Sequence, residues 1–196
     1  MRATGYINKV SDAWSVHVSS LANVRLFLVA RPGPSVFVLK DEEDNTIKTT
    51  LGNPHRCSCG VTACVHLAFC IIKVLKVPKE HPLSHQTSLT DNELDLLLSG
   101  TLARHTQARA VARSLHPQEP NSPPKPKADA GTVPRQALSE VEEENTCTIC
   151  QDDMKSDQPL TWCRHGCGNN FHAQCMMKFA GHKISNKQDP SCPLCR

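Results

Sequence analysis

The chain has 196 residues, a formal charge of +3 and a pI near 8.3, with 14 prolines, 11 cysteines and 10 histidines but only 4% aromatic residues. So few large rings argue against one large packed core and for small units held together by something else. The longest apolar stretch, Leu67–Val77, is interrupted by Lys73 and Lys76 and is too short to span a bilayer, and the opening MRATGYINKVSDAW lacks the apolar core of a secretory signal. The expectation is therefore an intracellular protein, cytoplasmic or nuclear, with no membrane contact. In that compartment thiols stay reduced, and an odd number of cysteines would strand one in a disulfide scheme, so metal ligation accounts better for them.

Residues 1–23 carry no clear pattern and read as an N-terminal extension. Val24–Ala30 and Ser35–Lys40 read as short strands joined by Pro32-Gly33-Pro34. Asp41–Asn45 looks like a turn, and Thr46–Leu51 reads as a third strand or a plain loop. Then comes NPHRCSCGVTACVHLAFC, Asn53–Cys70, with four cysteines and two histidines in eighteen residues. Cys57-x-Cys59, a gap of four and Cys64-x-His66 supply three thiols and an imidazole, a standard tetrahedral set for structural zinc. Gly60 lets the C-x-C knuckle turn. His66–Lys76 has helical spacing of apolar residues and Pro78 beyond it, so Cys64 and His66 sit where a helix starts. His55 reads as a hydrogen-bonding loop residue. Cys70, on the apolar face with Leu67 and Val74, reads as core.

Thr90-Asp91-Asn92-Glu93 predicts a capping box opening a helix over Leu94–Leu98, ended by Gly100. Thr101–Leu115 is rich in Ala and Arg and reads as helical, with Arg104, Arg109 and Arg113 on a solvated edge. His116–Pro134 has six prolines in nineteen residues and reads as an extended, semi-rigid linker, followed by the acidic run Glu140–Glu144. Beyond it, Cys147/Cys150, Cys163/Cys167, His172/Cys175 and Cys192/Cys195 pair at close spacing. They supply eight ligands, enough for two zinc ions.

The first pattern, with two strands before it and a helix after, resembles the SWIM zinc finger. The second resembles a RING domain with seven cysteines and one histidine. RING ligands interleave, which implies that Cys147, Cys150, His172 and Cys175 hold one ion and Cys163, Cys167, Cys192 and Cys195 the other. His165 competes with Cys167, but choosing it would leave Cys167 without a role. The rival family is the PHD finger, a histone-tail reader that carries an aromatic two residues before the seventh ligand, where this chain has Pro190. Pro193 directly after the seventh ligand and Ile149 between the first two suit a RING.

The order of modules resembles the zinc finger SWIM domain-containing ubiquitin ligases, and is similar to the N-terminal part of MEK kinases. The fold class expected is a set of small zinc-stabilised α+β modules. They comprise a ββα SWIM finger with its preceding strands over 24–77, a helical segment over 78–115, a flexible linker over 116–143 and a cross-braced RING over 144–196. Such proteins continue past the eighth ligand, so the sequence is expected to be a fragment.

The resemblance implies a cofactor complement of three Zn2+ ions and a ubiquitin ligase with no covalent intermediate on this chain. The partners would be a ubiquitin-conjugating enzyme, ubiquitin and a protein substrate, with the SWIM finger as the partner-binding module and an oligomer left open. Ile149, Phe179 and the Pro193-Leu194 loop would contact the conjugating enzyme, with Phe179 or Met177 in the place where the family often has Trp. Arg196, directly after the eighth ligand, would bridge conjugating enzyme and ubiquitin as a linchpin. The other reading of Ile149 and Phe179 is packing of the small domain itself. Ten ligand thiolates and three divalent ions would take the formal +3 to −1, which argues against nucleic acid as a partner. The alternative is a non-catalytic zinc scaffold or PHD-like reader that binds protein or nucleic acid.

Overall fold

The computed structural model describes residues 1–102, 132–139 and 145–195. The expected basic edge at Arg104, Arg109 and Arg113, the linker up to residue 131, the acidic run 140–144 and Arg196 lie outside the described residues. The chain divides into two units, Met1–His116 and Pro117–Arg196.

The first unit opens with a helix that has no apolar periodicity, α1, Asp12–Ser20. Ser11 caps it, its hydroxyl accepting from the Trp14 N–H at 3.2 Å, and Asp12 sits where the helix dipole favours a negative charge. Trp14 is its single buried residue, which is why no pattern betrays it. Four antiparallel strands follow in the order β1-β2-β3-β4: Phe27–Gly33, Val36–Lys40, Thr46–Thr50 and Arg56–Cys57. Thr46–Thr50 is thus a strand, not a loop. The first strand begins later than the sequence predicts because the Val24 N–H donates to the Ser20 carbonyl at 3.0 Å and closes the turn after α1. It runs through Pro32, which an edge strand tolerates. Inward residues alternate as period two requires: Phe37 opposite Thr49 and Leu39 opposite Ile47, all buried.

The helix after the strands, α2, is α-helical only over Val65–Ala68 and continues as a π-turn over Phe69–Val74, with the Leu75 N–H reaching back five residues to the Cys70 carbonyl at 2.9 Å. It ends before Pro78, at Lys76, whose φ of 54° reverses the chain so that the Val77 N–H bonds the Ile71 carbonyl at 3.1 Å. Leu67, Phe69, Cys70 and Ile71 are buried in a core shared with Phe37, Leu39, Leu51 and Trp14. Each large side chain there contributes about 1.5–3 kcal/mol. Cys70 is core, as predicted, with its sulfur 3.2 Å from Thr49 Oγ1.

The capping box at Thr90 forms, with Thr90 N–H donating to Glu93 Oε2 at 2.9 Å, and opens α3, Asp91–Leu98, which stops before Gly100 at φ 68°. Arg2 reaches Glu93, the Gln86 side chain at 2.8 Å and the Ser88 carbonyl at 3.1 Å, so the N-terminal arm is tied to the helix start and to the loop before it.

The second unit is smaller. A hairpin of β5, Leu160–Trp162, and β6, Asn170–His172, leads into α4, Ala173–Ser185. Ile149, Met154, Phe171 and Phe179 are buried in it, as are Cys147, Cys150 and Cys175. Residues 132–139, from the region expected to be linker, lie along the 164–170 segment through backbone hydrogen bonds. Among the described residues, no helix is long and apolar enough to cross a membrane.

Candidate metal centres

Three sets of ligand atoms converge: Cys57, Cys59, Cys64 and His66; Cys147, Cys150, His172 and Cys175; Cys163, Cys167, Cys192 and Cys195. Within each set the ligand atoms all lie within 4.8 Å of one another. Tetrahedral zinc at ordinary bond lengths sets an S···S edge of about 3.8 Å and an S···N edge of about 3.6 Å. Cys163 to Cys195 is 3.7 Å, Cys167 to Cys192 3.8 Å, Cys57 to His66 Nδ1 3.6 Å and Cys175 to His172 Nδ1 3.8 Å. The donor sets are those of structural zinc, and all four positions in each set are filled by protein. The sets of the second unit interleave along the chain. Cys167, not His165, completes the third set.

Local folding explains the convergence. Register places Cys57 opposite Thr49 at the sheet edge, and Gly60, at φ 78°, turns the knuckle that carries Cys59. Cys64 precedes α2 as its N-cap residue, so His66 sits in the helix's first turn and its Nδ1 points back to the Cys57 sulfur. In the second unit His172 ends β6 and Cys175 lies on the first turn of α4, three residues on. Gly166 lies so close to the third set that an added Cβ would meet the Cys195 sulfur at 2.5 Å.

Thiols this close cannot all ionise without a cation between them. Hydrogen bonding from the Cys57 thiol is the largest influence drawing Cys64 down to about 3, and the same contact pushes Cys57 up. In the second set, hydrogen bonding from Cys150 is the main influence holding Cys147 low, while Cys150 is pushed up to about 12. A divalent ion resolves this competition by displacing the remaining protons.

One support has no counterpart in the sequence motifs. His172 turns Nδ1 toward the Cys150 sulfur, and its Nε2 lies 2.9 Å from Gln158 Oε1, which fixes the tautomer with the proton on Nε2 and leaves Nδ1 free to hold a metal. Gln158→Leu should lower zinc affinity of the second set by about 10- to 100-fold, measured by competition with a chelator; unchanged competition would show the bond to be idle. His55, by contrast, stays outside the ligand sets. It accepts from the Gly52 N–H through Nδ1 at 3.0 Å, and burial lowers its pKa to about 4.

The apolar residues that the resemblance assigns to the contact surface differ in exposure. Ile149 is 1% exposed and Phe179 8%, so both pack the domain, whereas Met177 is 68% exposed and Leu194 46%. Pro193 is half-buried.

Residues 145–196 match the family model of the Ring finger domain. The second unit carries a RING finger. The chain is 30% identical to the human protein "E3 ubiquitin-protein ligase ZSWIM2" over 196 residues, 95% of this chain and 29% of that protein. The mouse protein "E3 ubiquitin-protein ligase Zswim2" gives the same identity and coverage. Mouse "Mitogen-activated protein kinase kinase kinase 1" is 29% identical over 93% of this chain and 13% of its own length. The chain thus spans less than a third of the length of the curated relatives it matches. No solved structure matches it. Three Cys/His sets in small α+β units, with a RING in the second, agree with the coarser part of the fold class expected from the sequence.

Proposed function

We propose that this chain acts as a ubiquitin ligase. The RING would recruit a conjugating enzyme charged with ubiquitin, and the first, SWIM-type finger would hold a substrate or partner. The observation that carries this reading is the RING match over residues 145–196, together with RING ligand sets closed by eight protein side chains. Closed sets leave the metals no open position to activate water, so these ions serve as struts. What the module can supply is orientation. It would hold the mobile ubiquitin thioester so that a substrate lysine attacks its carbonyl, forming an isopeptide bond and releasing the enzyme's thiol. The names of the human and mouse relatives support the same activity.

Three zinc ions fit the ligand sets, and the conjugating enzyme would meet the Pro193-Leu194 loop and the exposed start of α4. Ile149 and Phe179 would shape that surface from below. Arg196 keeps its proposed linchpin role from its place directly after Cys195: a guanidinium donates to two carbonyls at once, which suits bridging two proteins.

The test is discharge of ubiquitin from a panel of conjugating enzymes, with Arg196→Ala as the probe, in a chain extended past residue 196 so that no free carboxylate neutralises the guanidinium. Discharge should fall at least about tenfold, with zinc content and conjugating-enzyme affinity retained, because the contact is realised only in the activated complex. Equal discharge by mutant and parent would remove the role of Arg196. No discharge from any enzyme by a folded, zinc-loaded parent would favour a non-catalytic scaffold.

A further inference from the structure

The third ligand set is the most open of the three: Cys195 is exposed and Cys163, Cys167 and Cys192 are half-buried. Two of its four sulfurs, Cys163 and Cys167, stand on the short loop that joins β5 to β6. A segment outside the RING match lies against that loop. The Val133 N–H donates to the Arg164 carbonyl at 2.6 Å, and the Trp162 indole N–H donates to the Val133 carbonyl at 3.3 Å. The Gln136 N–H donates to the Gly168 carbonyl at 3.0 Å, and its side-chain amide donates to the carbonyl of the ligand Cys167 at 2.9 Å. Asn170, itself buried, accepts from Arg135 Nε at 2.6 Å and donates to the Gln136 carbonyl at 2.8 Å. At the far end Asn145, also buried, donates to the Ser139 carbonyl at 2.7 Å and accepts from its N–H at 2.8 Å.

The approach also depends on a glycine. Gly168 has φ 71°, and a Cβ there would meet the Pro134 carbonyl oxygen at 2.7 Å and Val133 Cγ1 at 3.4 Å. Gly168 therefore leaves room for a second strip of chain, and residues 133–136 occupy it. We propose that residues 132–139 are a strap that positions the Cys163–Gly168 metal loop, so that the working RING module of this chain begins near residue 132 rather than at residue 145. The strap holds the loop by carbonyls at both ends and at one ligand residue. It replaces, with neutral hydrogen bonds, the packing that an exposed metal loop lacks. Arg135, Gln136 and Gly168 are positioning residues. This assignment rests on the metal loop and is independent of the ligase reading.

The cleanest probe is Arg135→Ala/Gln136→Ala in the full chain. Both residues are exposed, and their replacement removes no ligand side chain and no buried apolar side chain, only the Gln136 bond to the Cys167 carbonyl and the Arg135 bond to Asn170. Hydrogen exchange at the Val133 and Gln136 amides should accelerate. The all-sulfur set should surrender its metal to a chelator about tenfold faster, with the two three-sulfur, one-nitrogen sets unchanged. Cadmium NMR separates the two kinds of set. Gly168→Asn, which tolerates the left-handed backbone but adds the Cβ, should do the same more strongly. Unprotected Val133 and Gln136 amides in the parent would overturn the strap. Faster exchange at those amides with metal release unchanged at the third set would overturn its positioning role.

Discussion

Cys64→Ala is expected to unfold the first unit, lower bound zinc from three ions per chain to two and leave the RING's spectrum intact. Cys64 is buried, belongs to the first ligand set and is also the N-cap residue of α2, whose first intrahelical bond runs from the Ala68 N–H to the Cys64 carbonyl at 3.1 Å. Removing its sulfur leaves three donors for the metal. A structural zinc set is worth about 10–16 kcal/mol at neutral pH, against a total stability of about 5–15 kcal/mol for a domain. The unit's own core, built around Phe37, Phe69, Leu67 and Trp14, cannot cover a loss of that size. The RING has its own ligands and its own buried group, so its amide resonances should not move. Three zincs by elemental analysis in the variant would remove Cys64 from the set. Joint collapse of both spectra would sink the division into separately folding modules.

The ligand sets were legible because zinc ligation is written in residue type and short spacing. Cys57-x-Cys59, Cys64-x-His66 and the four pairs after Thr146 each declare themselves within a few positions. The strands around Phe37 and Ile47 and the capping box at Thr90 were legible for the same reason, their signals being local. What the sequence hid was non-local or carried by the backbone. Helix α1 buries one side chain and so has no stripe to detect. The π-turn after Ala68 differs from an α-helix by a shift of one hydrogen-bond partner, which no apolar spacing records. The strap binds mainly through carbonyls and amide side chains some thirty positions downstream, in a region whose prolines read as linker. The sites of Ile149 and Phe179 were found but not their depth: the spacing that puts them beside ligands says nothing about what else covers them.

That depth separates two kinds of residue at the proposed conjugating-enzyme surface, and the expected results differ in kind. Ile149→Ala should destabilise the RING by about 2–5 kcal/mol, because it empties a site that is 1% exposed. Any loss of ubiquitin discharge should then track the folded fraction. Leu194→Glu should do the reverse. Leu194 is 46% exposed, so a charge there should change stability by no more than about 0.5 kcal/mol and leave zinc content intact. On the proposed contact face, however, the new carboxylate would be desolvated against an apolar partner surface. Affinity for the conjugating enzyme should fall at least about tenfold, a cost of about 1.4 kcal/mol or more. Met177→Glu, on the first turns of α4 and 68% exposed, should add to that loss. The measurements are chemical denaturation of each variant beside titration with a conjugating enzyme that the parent binds. Unchanged binding by Leu194→Glu and Met177→Glu together would move the contact surface elsewhere on the RING. Native stability in Ile149→Ala with binding lost would return Ile149 to the surface that its position between Cys147 and Cys150 first suggested.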